Sequence, residues 1–187
     1  VSISSELLEL FHAIAQTLYT NQEILNAPIS DKQRKSVLDG LGQAASTFRE
    51  KIYDNSFSGE KRQLSLGDLK SFCSLGLGYL EHAIDANKRP DNLYHAYNLM
   101  SSNHDGMAID YLNEMLEGQV AVLSAGYLKP KETLAVLDGL KASAMFRHDQ
   151  YSYMLYPNKQ LPGFLEKNVV PGDLVANSGL LSELVNN

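Results

Sequence analysis

Residues 87–98 concentrate aromatic rings, charges and amides in one short stretch, Asn-Lys-Arg-Pro-Asp-Asn-Leu-Tyr-His-Ala-Tyr-Asn. Ordinary helix surfaces are instead rich in Glu and Lys. A site for a hydroxylated ligand needs flat rings to stack on, with donors and acceptors at their edges. We therefore expect Arg89, Tyr94, His95 and Asn98 to bind a sugar or another polyol. The alternative is that the tyrosines pack in the core while His95 and Asn98 satisfy backbone groups.

A second stretch of similar character covers residues 147–158, Arg-His-Asp-Gln-Tyr-Ser-Tyr-Met-Leu-Tyr-Pro-Asn. Its candidate ligand-binding residues are Arg147, Gln150 and Tyr153. We expect the two stretches to fold against each other and to line one polar-aromatic surface. The alternative is that Arg147 and Asp149 fasten this segment to the helices, because an extended segment outside a sheet needs side-chain partners for its backbone.

Two carboxylates, Glu117 and Asp91, are the candidate catalytic residues. Hydrolysis of a glycoside uses a pair of carboxyl groups as acid and base or nucleophile. Asp110, Glu114 and Glu117 would share one face of a helix, and such a face is more often simply solvated. The pair Gly118-Gln119, which follows Glu117, is unusual on a plain surface.

Metal and cofactor motifs are not evident. The sequence has no Gly-rich phosphate loop, no His-x-x-x-His or Cys-x-x-Cys spacing and no Gly-x-Ser-x-Gly motif. We therefore expect neither a metal nor a cofactor. The single cysteine, Cys73, follows Phe72 in an apolar helical context and is predicted to be a buried small hydrophobe.

Composition indicates one globular domain spanning residues 1–187, with 44% hydrophobic and 20% charged residues. The net charge of -6 argues against a nucleic-acid partner, which requires a basic surface. No apolar run approaches the roughly 20 residues of a membrane span. The chain begins at Val1 without Met, so we expect it to be a segment of a longer protein. One cysteine fits a reducing cytoplasm and equally an export route without disulfides.

Apolar residues recur with helical spacing along most of the chain, which predicts an all-α fold, either an antiparallel bundle or part of an α/α toroid. Ser4 or Ser5 is predicted to cap the first helix and Ser65 the third. The third helix should turn Leu66, Leu69, Phe72, Cys73, Leu77, Leu80 and Ile84 inward. No strand is predicted, and residues 151–164 should form an extended aromatic cover. The predicted helices span about 3–25, 31–53, 66–84, a short stretch after Asp91, 107–125, 130–145 and 171–184.

Four strings of the sequence, residues 87–99, 114–124, 149–157 and 161–168, resemble the C-terminal part of large bacterial proteins of the cellobiose-phosphorylase-like or glycosyl-hydrolase-like type. The resemblance implies a carbohydrate-related enzyme whose catalytic unit is an α-helical toroid. This chain would supply helices to that toroid or form a helical domain attached to it. The implied partners are a carbohydrate and the rest of a larger parent chain, and the bacterial cytoplasm is favoured as the location.

The resemblance carries over no catalytic acid, so Glu117 and Asp91 rest on chemistry alone. A phosphorylase would also need a phosphate site, for which Lys88 and Arg89 are the candidates. The alternative function is a non-catalytic helical module for packing or assembly, in which the same residues hold loops in place.

Overall fold

The computed structural model describes residues 1–186, and this part of the chain is mostly helical, with 57% of its residues in eight α-helices and a 3-10 helix. It forms two compact units, Val1–Pro157 and the segment from Asn158 onward. The mostly helical character is as predicted, whereas a bundle or toroid arrangement stays a prediction. The second unit is short, and a segment of that length rarely supports a core by itself. A single domain spanning residues 1–187 therefore also stays a prediction. Within the described residues, no helix is both long and apolar enough to span a membrane.

Three long helices build the first half of the chain, where the sequence predicts them. They are α1 (Ser5–Thr20), α2 (Asp31–Asn55) and α3 (Leu66–Ala86). Each begins after a serine whose hydroxyl accepts the N–H three residues further on, which stabilises a helix by about 1 kcal/mol. These capping serines are Ser4, Ser30 and Ser65. A 3-10 helix, Gln22–Asn26, follows α1.

The apolar face predicted for α3 is largely exposed, which corrects the sequence analysis. The exposed residues are Leu66 (70%), Leu77 (55%), Leu80 (64%) and Cys73. The helix packs through the half-buried Phe72 of that predicted face and through Tyr79. The ring of Phe72 lies 5.0 Å from that of Phe11 in α1, and the Tyr79 hydroxyl donates a hydrogen bond to the carbonyl of Leu18 (2.9 Å). Helical periodicity marks an apolar stripe but does not state which part of it a neighbour covers.

Strands are present, contrary to prediction. β1 (Ser2–Ser4) pairs antiparallel with β2 (Lys61–Gln63). β3 (Leu99–Ser102) and β4 (Met107–Asp110) form an antiparallel hairpin in the region predicted to begin a long helix. That helix, α4 (Leu116–Ser124), begins about nine residues later than predicted.

The β3–β4 turn explains the error. The side chain of Asn103 accepts hydrogen bonds from the backbone N–H groups of Asp105 (2.9 Å) and Gly106 (2.7 Å), and Gly106 adopts φ +151°. Asn and Gly favour such turns because of these local bonds and the freedom of φ. The tip of the hairpin is held on α2, where Asn103 donates to the carboxylate of Asp31 (3.0 Å) and Arg34 donates to the carbonyl of Met107.

The rest of the first unit contains α5 (Pro130–Ala142) and a small hairpin of β5 (Phe146–Arg147) and β6 (Ser152–Tyr153). The predicted extended cover segment thus begins as a strand with its own partner. A core cluster in this half comprises Leu93, Tyr94, Val122, Val136, Leu140 and Met145. In the second unit, the described helices are α6 (Phe164–Lys167), α7 (Gly172–Ala176) and α8 (Gly179–Asn186), where one terminal helix was predicted.

Candidate functional site

Residues 87–95 form a tight loop between α3 and the β3–β4 hairpin, and the short helix predicted after Asp91 is absent. The backbone N–H of Arg89 donates to the carbonyl of Leu93 (2.8 Å), and that of His95 donates to the carbonyl of Asn87 (2.8 Å). Asn92 has φ +64°, a left-handed conformation that a helix excludes. Because the chain doubles back here, Tyr94 and His95 are brought beside the end of α3.

Gln119 of α4 fixes this loop. Its side-chain amide accepts a hydrogen bond from the N–H of Tyr94 (2.8 Å) and donates one to the carbonyl of the same residue (2.8 Å). A third bond runs to the carbonyl of Met115 (3.0 Å), and the Gln119 side chain is 0% exposed. The amide thus makes the two hydrogen bonds that a neighbouring β-strand would make to the backbone of Tyr94. The Tyr94 side chain is buried as part of the core. Tyr94 therefore contributes its backbone and packing to the loop.

Asp91 forms an ion pair with Arg89, whose Nε and Nη2 atoms donate to the carboxylate at 2.8–3.2 Å. Glu114 lies 3.5 Å from the same guanidinium. The hydrogen bond from Arg89 lowers the pKa of Asp91 below its ordinary value. A general acid must hold a proton at the working pH, so this environment favours a loop-fastening carboxylate over an acid at Asp91.

Glu117 lies on the exposed face of the first turn of α4. Interaction with this carboxylate raises the pKa of Tyr97. Tyr97 is itself exposed and adopts φ +56°. Glu117 is therefore accessible to a ligand, with a tyrosine hydroxyl as its neighbour.

His95 and Asn98 hold two of the three buried side-chain N/O atoms that lack a hydrogen-bond partner among the described residues. These atoms are Nδ1 of His95 and Oδ1 of Asn98. The His95 ring stacks on Tyr111 of the segment after β4, with ring centres 4.2 Å apart, and Asn98 donates to Oδ1 of Asn87 (2.6 Å). Buried polar atoms are nearly always paired, so these two atoms, on residues three positions apart in the chain, are candidates for binding a ligand or a water molecule.

Two clefts adjoin these residues and share Ala83 and Asn87 in their walls. The larger, here called the polar cleft, has a volume of about 670 Å³, and its lining includes Arg34, Tyr79, His82, Asp85, Asn98 and Tyr111. The smaller, here called the apolar cleft, has a volume of about 430 Å³, and its lining includes Leu80, Ile84, His95, Ala96, Ala121 and Val122. The stacked pair thus has His95 on the apolar cleft and Tyr111 on the polar cleft.

The second predicted stretch is organised around Phe146. The rings of His148, Tyr151 and Tyr153 lie 4.8–5.4 Å from that of Phe146. Arg147 donates to both carboxylate oxygens of Asp149 (2.9 and 2.5 Å), and Gln150 is exposed in the turn. These contacts join residues of the β5–β6 hairpin to one another, so fastening of the segment to the helices through Arg147 and Asp149 stays a prediction.

The second stretch reaches the rest of the unit through its backbone. The carbonyl of Leu155 accepts from the N–H of Leu116 at the start of α4, and the N–H of Met154 donates to the carbonyl of Met145, each at 2.8 Å. Neither the polar nor the apolar cleft includes a described residue of 147–158 in its lining. One surface lined by both stretches therefore stays a prediction, and the site geometry belongs to the first stretch.

Sequence reasoning missed Tyr79, His82, Asp85 and Tyr111, which line the polar cleft. They come from α3 and from the segment after β4, so only the fold brings them beside Asn98. The unusual Gly118-Gln119 pair was the local sequence signal for this site. It lies where α4 contacts the loop of residues 87–95. No group of three or more His, Cys, Asp or Glu side chains within residues 1–186 is placed to hold a metal ion.

Comparisons with known proteins do not assign the chain to a family. No protein-family model matches it, and no curated protein matches it significantly. The resemblance to cellobiose-phosphorylase-like proteins therefore rests on its sequence strings.

Proposed function

We propose that this chain is a carbohydrate-binding helical part of a glycoside-processing protein, and that the polar cleft beside residues 87–98 receives the sugar. The observation that carries this proposal is the buried, unpartnered Oδ1 atom of Asn98, a residue that lines that cleft. A hydroxylated ligand offers an O–H donor to this atom. Its binding would remove the cost of leaving the atom unpaired, about 1–3 kcal/mol.

The lining of the polar cleft is compatible with a sugar. Tyr79 and Tyr111 supply rings among aliphatic side chains, and Asn98 supplies an amide. Arg34 and Asp85 also line the cleft, but Arg34 already donates to Asp31 and Asp85 already accepts from Tyr127. A volume of about 670 Å³ lies within the range of small-molecule sites. The mixture of rings and amides, with charges of both signs, suits a neutral polyol.

If the parent protein cleaves glycosides, we propose Glu117 as the acid or base, since its carboxylate is exposed beside Tyr97. Asp91 is the weaker candidate because Arg89 stabilises its ionised form. Arg89 and Lys88 are also engaged with carboxylates, Lys88 at 3.7 Å from Glu132, which weighs against a free phosphate site. The test is turnover of cellobiose, with and without phosphate, by the parent protein carrying Asp91→Asn and Glu117→Gln together. Unchanged turnover would remove the catalytic proposal.

The alternative is a non-catalytic helical module for packing or assembly. The contacts that favour it are the Arg89–Asp91 pair and the Gln119–Tyr94 bonds, which hold the loop without any ligand. In this alternative, water molecules hydrogen-bond to the unpartnered atoms, and sugars do not bind.

Calorimetric titration distinguishes the two functions. The chain is titrated with methyl β-D-glucopyranoside, cellobiose, short glucans and inorganic phosphate, and saturable heat with a sugar supports the proposed site. Asn98→Ala should weaken that binding by about tenfold, the worth of one good hydrogen bond. The matched control is Asn113→Ala, since Asn113 is exposed and lines neither cleft. No saturable heat with any sugar, or equal effects of the two substitutions, would favour the module.

A further inference from the structure

A groove between α1 and α2 lies outside the site described above and has charged groups of its own. Here called the α1–α2 groove, it has a volume of about 310 Å³, and its lining includes Glu6, Glu9, Leu10, Ala13, Ala44 and Lys51. We propose that this groove binds a small primary alkylammonium ion, with the charged group against Glu6 and the alkyl chain along the apolar side chains. The proposal does not depend on sugar binding in the polar cleft.

Glu6 carries the observation that points to a ligand. This residue is 2% exposed; its Oε1 atom accepts a hydrogen bond from the N–H of Ser58 (2.9 Å), whereas Oε2 is buried and has no hydrogen-bond partner among the described residues. The carboxyl group is ionised at neutral pH, because hydrogen bonds from Ser58 lower its pKa to about 2. A buried carboxylate oxygen without a donor is costly. Since the terminal torsion of Glu is soft, a small rotation turns this oxygen towards an ammonium group, which supplies both charge and N–H donors.

The charged groups that line the α1–α2 groove leave one negative charge without a partner. Glu9 lies one turn after Glu6 on α1, and its carboxylate accepts a hydrogen bond from Nζ of Lys51 on α2 (2.6 Å). This bond raises the pKa of Lys51, and the charges of Glu6 and Glu60 add to the effect, so Lys51 is charged and paired with Glu9. The lining thus holds two carboxylates and one ammonium, and a further monovalent cation would balance it.

The rest of the lining favours an alkyl group over a metal ion. Leu10, Ala13, Ala44 and Phe48 line the groove with apolar side chains, from which a short alkyl chain can displace water. Ca²⁺ and Mg²⁺ instead require about six oxygen ligands, and no group of three or more His, Cys, Asp or Glu side chains in the described part of the chain is placed to hold a metal.

Titration followed by nuclear magnetic resonance tests the proposal at pH 7 with n-butylammonium chloride, 1-butanol and potassium chloride. Backbone amide shifts of the groove residues should saturate with n-butylammonium, which is protonated at this pH as a lysine side chain is. The dissociation constant for 1-butanol should be at least about tenfold higher, because the alcohol lacks the charge. Potassium chloride at the same ionic strength should cause no saturable shifts.

Substitutions of charged residues locate the cation. Glu6→Gln should weaken n-butylammonium binding by about tenfold or more. Lys51→Met keeps an apolar stem and removes a neighbouring positive charge, so n-butylammonium should bind about two- to fivefold more tightly. The matched control is Lys35→Met, because Lys35 is also paired with a carboxylate on α2, that of Asp39, and does not line the groove.

A third variant does not depend on the stability of Glu6→Gln. Ala13 is exposed on α1 and lines the groove, so Ala13→Phe should fill the space and abolish binding while the fold persists. Ala142→Phe is the matched control, because Ala142 is an exposed helical alanine outside the groove.

Four outcomes would overturn the inference. Equal affinity for 1-butanol and n-butylammonium would show an apolar groove that does not recognise charge, and the same shifts with potassium chloride would show a general ionic effect. Equal binding by Lys51→Met and Lys35→Met would show that the charge balance of the groove does not govern binding. No saturable shift with n-butylammonium would show that the first turn of α1, whose dipole favours a carboxylate, stabilises Glu6 without a ligand.

Discussion

A Cβ atom at Gly118 would lie 2.8 Å from the Cβ of Ala96, so α4 meets the loop after Tyr94 at a distance that only glycine allows. A second contact of this kind lies on α5, where a Cβ at Gly139 would come within 2.7 Å of the carbonyl oxygen of Asp91. Real Cβ contacts do not come this close. Residues 91–96 are therefore packed between α4 and α5 at these two glycines. This close packing explains why each helix contains a glycine at the contact.

The first prediction concerns these glycines. Gly118→Ala and Gly139→Ala should each lower the free energy of unfolding by about 1–3 kcal/mol, because overpacking forces the loop to move. Urea denaturation followed by circular dichroism measures this change. Each substitution also brings a gain in helix propensity of up to about 1 kcal/mol, so the observed loss is net of that gain.

Gly42→Ala and Gly76→Ala are the matched controls, since both glycines lie inside helices and a Cβ at either would meet nothing within 4 Å. They should raise stability by about 0.5–1 kcal/mol. If all four substitutions changed stability in the same direction, the close approach of the loop to α4 and α5 would be refuted.

The second prediction concerns Gln119. Gln119→Leu should destabilise the chain by about 2–4 kcal/mol, because it leaves the buried N–H and C=O of Tyr94 without partners. Thermal unfolding gives the value, with Gln160→Leu at an exposed position as the control. A loss below about 0.5 kcal/mol, the usual scale of surface substitutions, would mean that the amide does not fasten the loop.

The third prediction concerns acid stability. Glu6 is 2% exposed, and hydrogen bonds from the Ser58 hydroxyl and N–H lower its pKa to about 2 from 4.5. Because the pKa is lower in the folded state, the carboxylate contributes stability that is present above about pH 4.5 and is lost as the pH falls towards 2.

We therefore expect Glu6→Gln to be less stable than the unsubstituted chain at pH 7 and to lose less stability between pH 5 and pH 3. Unfolding midpoints at these three pH values test this expectation. Glu50→Gln, at an exposed position within α2, is the control and should leave the acid dependence unchanged. A Glu6→Gln variant with the same acid dependence as the unsubstituted chain would contradict the assignment.

The fourth prediction concerns Cys73, which is exposed on α3 although the sequence predicts it buried. A thiol reagent such as 5,5′-dithiobis(2-nitrobenzoic acid) should modify it in the native chain within a factor of about ten of the rate in urea, as expected of an accessible thiol. Protection by several orders of magnitude would show that this face of α3 is covered in solution.

The starts of α2, α3 and α5 followed from the sequence alone because capping is local. Ser30 and Gln33 lie three residues apart and form both bonds of a capping box with no help from the rest of the chain. The Asn103 turn is local as well, because its hydrogen bonds join Asn103 to Asp105 and Gly106. The sequence analysis did not predict this turn, and it therefore placed the start of α4 too early. The apolar face of α3 was wrongly predicted to be buried, because its burial depends on neighbouring elements that periodicity does not identify.

The candidate site shows the same division. Its hydrogen-bonding residue types, His95 and Asn98 above all, were visible as a pattern, because the chemistry of a side chain is a property of its own sequence position. The tertiary structure decided that Tyr94 enters the core, that Glu114 comes to lie 3.5 Å from Arg89, and that Tyr111 comes to lie on His95. Contacts between distant residues depend on how the helices and loops pack, and that packing is settled by burial and close approach over the whole unit rather than by any short run of residues.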